Sequence, residues 1–150
     1  MIEVDSDYLV LELKPSNIPG AGLGVFAKVD IPAGIILCEY RGSIIFRDKI
    51  DIAKFNNRCL NLNNELTIVG SNCIASFIND AIDLKKIYTK DEIKKINEDN
   101  CFPLLKEYNC CFQNTLYKSF IVSIKDIKEG EELFCSYGIK YWLNAIEIVD

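Results

Sequence analysis

Tyr137 stands between Ser136 and Gly138 at the end of the run Glu132-Leu133-Phe134-Cys135, which puts a phenol where a strand enters a loop. Such a phenol is either a buried core hydroxyl or a group that presents its oxygen to a reacting centre. Upstream, Pro19-Gly20-Ala21-Gly22-Leu23-Gly24-Val25-Phe26-Ala27 carries glycines at alternate positions. Glycine tolerates positive φ and close approach, so this run is a tight turn or a cradle for a ligand. A dinucleotide loop would need a helix after the glycines, and here they lead into a β-branched strand. Ser76-Phe77-Ile78-Asn79-Asp80-Ala81 ends an apolar run in an Asn-Asp pair. That pair makes an Asx turn or offers an amide and backbone groups to a ligand. Tyr141-Trp142 follows Tyr137 closely, and aromatics there pack onto the body or stack on a purine.

The chain contains no histidine. That excludes Ser-His-Asp and Cys-His nucleophiles and zinc sites built on imidazole. Seven cysteines occur without a Cys-x-x-Cys spacing, so no metal site is expected and a disulfide framework would leave one thiol over. The thiols read as small apolar residues of a reducing compartment. With 17 basic and 22 acidic residues the net charge is −5. An acidic chain argues against direct nucleic-acid binding and suits a basic protein partner. No apolar run reaches the roughly 18 residues a membrane helix needs, and the first residues are not a basic signal-peptide start. A soluble protein without membrane contact, inside the cell in nucleus or cytoplasm, is the expectation.

Positioning these residues requires a β-rich scaffold. At 150 residues and 49% apolar, one compact domain spanning 1–150 is expected, with no repeat or linker. Alternation and β-branched content predict strands at 8–13, 25–29, 35–40, 43–46, 59–62 and 66–69, then 110–113, 119–124 and 132–136. Turns are expected at 31–34 and 126–130. Residues 48–57 and 91–98 read as helices, the latter with early acids and Ile93 and Ile96 on one face. The helix at 91–98 sits in a polar stretch, about 83–108, that reads as a surface insertion. Together these predict a β-dominated α+β fold.

Read in order, the motifs resemble a SET domain, the fold of protein-lysine methyltransferases that use S-adenosylmethionine. The matching residues are Gly22-Leu23-Gly24-Val25-Phe26-Ala27, Asp30-Ile31 with Gly34, and Glu39-Tyr40-Arg41-Gly42. They continue with Gly70, Ser76-Phe77-Ile78-Asn79-Asp80, Asn109-Cys110, and Ile127 with Gly130-Glu131-Glu132-Leu133. Ser136-Tyr137-Gly138 and Tyr141-Trp142 complete the series. The resemblance covers about 16–143 and is closest to the compact, virus-encoded kind. It implies a SET-domain fold, a β-clip of short strands with a C-terminal pseudoknot, plus a small helical insertion.

By that resemblance, the backbone of Ala21, Gly22 and Leu23 would hold the methionine end of S-adenosylmethionine. Asn79 would bind its amino or carboxylate group, the backbone of Asp80 its adenine, and Trp142 with Tyr141 would cover the ring. Tyr137 would line the methyl-transfer point, with Tyr40 as a second candidate catalytic residue. Tyr40 and Tyr117 are candidates for the wall of the lysine channel. Cys135, two residues before Tyr137, is small, which leaves room for a di- or trimethyllysine product. The family usually has Asn-His where this chain has Asn79-Asp80.

The chemistry suits a protein without histidine. Deprotonating a free lysine at pH 7 costs about 4.6 kcal/mol, and an apolar channel lowers that cost by desolvation. The expected partner is a lysine-containing protein, a histone tail above all, with Glu39, Asp80 and the acids of 83–108 as candidate groove charges. A homodimer could help close the pocket. The alternative is a catalytically silent SET-like module that binds a peptide or protein partner.

Overall fold

The computed structural model of the chain describes residues 7–49, 59–70 and 73–150. Its strands are short because turns interrupt nearly every apolar run. After a single helical turn, α1 (Asp7–Val10), β1 (Leu11–Pro15) pairs antiparallel with β2 (Leu23–Ala27). Leu11 lies opposite Ala27 and Leu13 opposite Val25, so the apolar faces of both strands turn inward. The strand expected at 8–13 therefore begins three residues later. A short apolar run such as Tyr8-Leu9-Val10-Leu11 has no period that separates a helical turn from a strand.

β3 (Ile36–Glu39) and β4 (Gly42–Phe46) come next, followed by a 3₁₀ turn at Arg47–Lys49. The helix expected at 48–57 falls outside the described residues beyond Lys49. β5 (Cys59–Asn61) and β6 (Leu66–Gly70) join β4 in a three-stranded antiparallel sheet of order β4-β6-β5. β8 (Cys110–Asn114) and β9 (Ser119–Ser123) form a hairpin that adds to β3 in the order β3-β9-β8. The main core gathers Leu11, Val25, Leu37, Ile74, Ile121 and Leu133 between these sheets. Ten short strands against three helices make the fold β-dominated among the described residues.

The strand expected at 132–136 does not form a ladder. The segment instead makes isolated bridges, Phe26 with Glu132 antiparallel and Asn79 with Phe134 parallel. Leu133 donates its amide to Val25 at 2.7 Å and Cys135 donates to Asn79 at 3.1 Å. Successive residues bond to different neighbours, so the segment threads between β2 and the Asn79 region rather than extending one sheet.

The stretch at 83–108 is more than a surface insertion. β7 (Tyr88–Thr89) leads into α2 (Lys90–Asp99), whose N-terminus carries a capping box between Thr89 and Glu92. Asn100 closes the helix in the left-handed conformation at φ 56°. Ile96, Tyr88 and Phe102 are buried with Ile82 in a second core. The helix α3 (Ile139–Ala145) lays Trp142 and Leu143 on that core. β10 (Ile148–Val149) then pairs parallel with β7. Apolar residues spaced through a polar stretch supply a packing face that overall polarity concealed. No helix among the described residues is long and apolar enough to cross a membrane.

Candidate functional site

Asp80 is the centre of the polar structure. The bridge between Asn79 and Phe134 carries the chain inward, and Asp80 is only 4% exposed. Its Oδ1 accepts from the Ala81 amide at 2.6 Å and the Tyr108 hydroxyl at 2.6 Å. Its Oδ2 accepts from the Tyr137 amide at 2.8 Å and the Trp142 indole at 2.7 Å. A carboxylate has about four acceptor sites, so this one is saturated. Burial and the bond to Asp80 both push the Tyr108 phenol well above its ordinary range.

The donors bring an aromatic row together. Trp142 lies parallel to Tyr137, the planes 4° apart and the centroids 5.8 Å apart. Tyr141 meets both rings edge-on, at 5.1 and 4.9 Å. On its other side Tyr137 touches Phe112 at 6.3 Å, and Phe112 touches Tyr40 at 6.4 Å. The Tyr137 hydroxyl donates to the Ile78 carbonyl. Burial, then the neighbouring Tyr141 and Asp80, hold this phenol well above its usual pKa. It is therefore a neutral hydroxyl around pH 7, not a phenolate base.

The glycine loop is fastened beside this row by a second buried carboxylate. Ser16 donates its amide to the Gly22 carbonyl at 2.8 Å, closing the loop. Glu132, 4% exposed, accepts from the Ser16 hydroxyl and the Asn17 amide, each at 2.7 Å. The Asn79 side-chain amide donates to the Leu23 carbonyl at 3.0 Å and reaches Glu132 at 3.4 Å. Gly24 packs directly on this carboxylate: a Cβ there would lie 2.3 Å from Glu132 Oε2.

A cleft of about 330 Å³ opens where Asp80, Tyr108 and Trp142 meet Phe102, Ser136 and Gly138. Of the residues expected at a site, Asp80 and Trp142 line it, and Tyr137 and Tyr40 belong to the adjoining row. Asn79 links the loop of Ala21, Gly22 and Leu23 to Glu132. Tyr117 is not brought into the row: it lies in the β8–β9 turn and is 59% exposed. Cys135 is fully buried, its sulfur 2.9 Å from that of Cys110. Asp80 was also expected to offer charge to a basic substrate, but its four bonds commit the carboxylate inside the protein. Glu39 keeps looser partners, Lys118 at 3.8 Å and Arg41 at 3.9 Å.

The family model for the SET domain matches residues 22–138, most of the chain and the part of this site from Gly22 to Gly138, with Tyr141 and Trp142 beyond it. The chain belongs to the SET-domain family. Two solved structures share the fold. One is a humanized mutant of the Chaetomium thermophilum Polycomb Repressive Complex 2 bound to the inhibitor GSK126, with TM-score 0.61 and 23% identity over 85% of this chain. The other is the Chaetomium thermophilum Polycomb Repressive Complex 2, with TM-score 0.58 and 24% identity over 85% of this chain. In both cases the match covers only 15% of the neighbour's chain.

SET domains generally methylate lysine with S-adenosylmethionine, and the residues present fit that cofactor. The cleft falls in the size range of small-molecule sites, roughly 300–1,000 Å³. Its lining joins apolar rings to a few polar groups, as an amphipathic nucleoside requires. Of the glycines, Gly138 lines the cleft, and a Cβ there would meet nothing within 4 Å, which leaves its backbone open to the cleft. Tyr108 and Phe112 escaped the sequence reading, and Glu132 stood in the matched motif without its role. Tyr108 and Phe112 carry no local signal, because their partners lie far away in the chain. Glu132 could have been flagged as an acid preceding the apolar Leu133-Phe134-Cys135, where a charge needs a buried partner.

Proposed function

We propose that this SET domain is a protein-lysine N-methyltransferase that uses S-adenosylmethionine, with a lysine-rich tail of the histone type as substrate. The observation that carries the reading is Tyr137. It is a neutral phenol anchored on the Ile78 carbonyl, between the cleft wall of Trp142 and the apolar row of Phe112 and Tyr40.

With its adenine end in the cleft, S-adenosylmethionine would supply an electrophilic methyl group on a sulfonium centre. The backbone of Ala21, Gly22 and Leu23, with Asn79, would hold its amino-acid end, and Asp80 and Trp142 its adenine end. The row Tyr40–Phe112–Tyr137 excludes water, which disfavours the ammonium form of an entering lysine and offsets part of the roughly 4.6 kcal/mol cost of deprotonation. A Tyr137 hydroxyl that donates to Ile78 keeps its lone pairs for weak contacts from carbon-bound hydrogens. Its contribution is placement, since no step needs it to take a proton. The net charge of −5 suits a basic peptide, and the small Cys135 supports a di- or trimethyl product.

The test is transfer of radiolabelled methyl to mixed core histones, with mass spectrometry of the product and Tyr137→Phe alongside. Wild-type label should appear on a histone, and the variant should fold normally yet lose at least about 100-fold in turnover, in line with the loss of a positioning group. A fully active Tyr137→Phe would remove Tyr137 from the mechanism. One observation favours the second reading, a module that only binds: Asn79 already spends its amide on Leu23 and Glu132. Calorimetry with S-adenosylmethionine separates the two, since a silent module of that kind should take up no cofactor.

A further inference from the structure

By the motif resemblance Asp80 stands where SET domains usually have a histidine, and its bonding is of a kind a neutral imidazole could not reproduce. An imidazole offers one acceptor nitrogen and an amide one acceptor oxygen, whereas the carboxylate here accepts on both oxygens from four separate donors. Those donors come from four parts of the chain: the residue after Asp80, the end of the 83–108 stretch, the threaded segment and α3. Two of them, the Tyr108 hydroxyl and the Trp142 indole, belong to side chains that line the cleft. A third, the Tyr137 amide, belongs to the residue stacked on Trp142. Removing the carboxylate would therefore release the cleft wall and its stacking partner together.

We infer that Asp80 is a positioning residue of the cleft, which acts by holding the Trp142 indole as the rigid wall against which the cofactor's adenine end binds. This rests on the methyltransferase reading for the identity of the ligand, but the hold on Trp142 does not. Trp142 is the single tryptophan of the chain, so its fluorescence reports this one contact without any ligand present.

The experiment uses Asp80→Asn, Trp142→Phe and the double variant, with S-adenosylhomocysteine as the calorimetric probe. In ligand-free protein, Asp80→Asn should at least double the quenching of Trp142 by acrylamide while cooperative unfolding persists. Each single variant should weaken the probe about tenfold or more, and the double variant no more than twofold beyond the weaker-binding single, because both substitutions break one contact. Multiplicative losses in the double variant, or unchanged quenching in Asp80→Asn, would overturn the inference. If Asp80→Asn does not fold, the wild-type indole proton takes its place: bonded to Asp80, it should exchange with solvent at least about tenfold more slowly than a free indole, and exchange at the free rate would overturn the inference. A wild type that binds no probe but shows the quenching difference would sink the cofactor reading and leave the hold on Trp142 standing.

Discussion

Glu132 shows how much a single buried carboxylate carries in this site. Its acceptor oxygens meet the Ser16 hydroxyl, the Asn17 amide and, more distantly, the Asn79 side-chain amide. Truncation by Glu132→Ala would leave these donors facing an apolar interior, where each unsatisfied group costs roughly 1–3 kcal/mol. Partial relaxation brings the expected loss to about 3 kcal/mol, which for a domain of this size lowers the melting temperature by about 10 °C. Glu132→Gln keeps one acceptor oxygen and should lose less than half as much. Thermal unfolding followed by circular dichroism measures both. A Glu132→Ala variant that melts within about 1 °C of wild type would mean that water replaces the carboxylate without cost. Asp80 obeys the same logic with more donors, and neither residue could be assigned its partners from the sequence. Their donors lie 28 to 62 positions from Asp80 and 53 to 116 from Glu132, apart from the adjacent Ala81 amide.

Elements position the site through one close approach. β2 passes the threaded segment with only a glycine's thickness at Gly24, because Glu132 Oε2 and the Ser16 side chain fill the space where a Cβ would go. Gly24→Ala should therefore destabilise by about 1–3 kcal/mol, the usual cost of forcing extra volume into a packed interior. Most of that penalty should vanish in a Glu132→Ala background, where the carboxylate has gone. Denaturant midpoints of the four proteins in the cycle give the coupling directly, and strict additivity would place the strain elsewhere. The same crossing explains what was legible at this scale. β4, β6, β8 and β9 form close to where alternation and β-branched content place them, since each pairs with a near neighbour in sequence. The 132–136 segment has an equally apolar pattern but bonds to Val25 and Asn79, contacts no local period encodes. The resemblance singled out Tyr137, Asn79 and Trp142, which the fold gathers around Asp80 and Glu132, and also Tyr117, which lies on an exposed turn away from them.

At the scale of the molecule, the cleft lies along the seam between two cores. Ile82, Phe102 and Trp142 belong to or pack on the second core, and Tyr108 packs on a third, smaller cluster of Ile18, Ala81 and Phe134. Tyr108 lines the cleft, Tyr137 and Tyr141 pack around its wall at Trp142, and Tyr88 lies inside the second core; burial is the leading cause that raises the pKa of each. The buried thiol of Cys135 is raised for the same reason. An acid whose pKa is higher in the folded than in the unfolded chain contributes stability that is complete below the unfolded value. Above that value the unfolded chain has released a proton that the folded chain still holds, so the free energy of unfolding falls as pH rises. Unfolded thiols ionise near 8.5 and phenols near 10, so the decline should begin at about pH 8.5–9 and steepen above about pH 10. Urea midpoints should accordingly change little between pH 6 and 8 and then drop. Phenolate absorbance from these tyrosines should appear together with loss of circular dichroism, not before it. Free titration of all seven tyrosines near pH 10 in protein that remains folded would mean that the seam admits water. The proposed neutral lysine beside the row Tyr40–Phe112–Tyr137 would then lose its support.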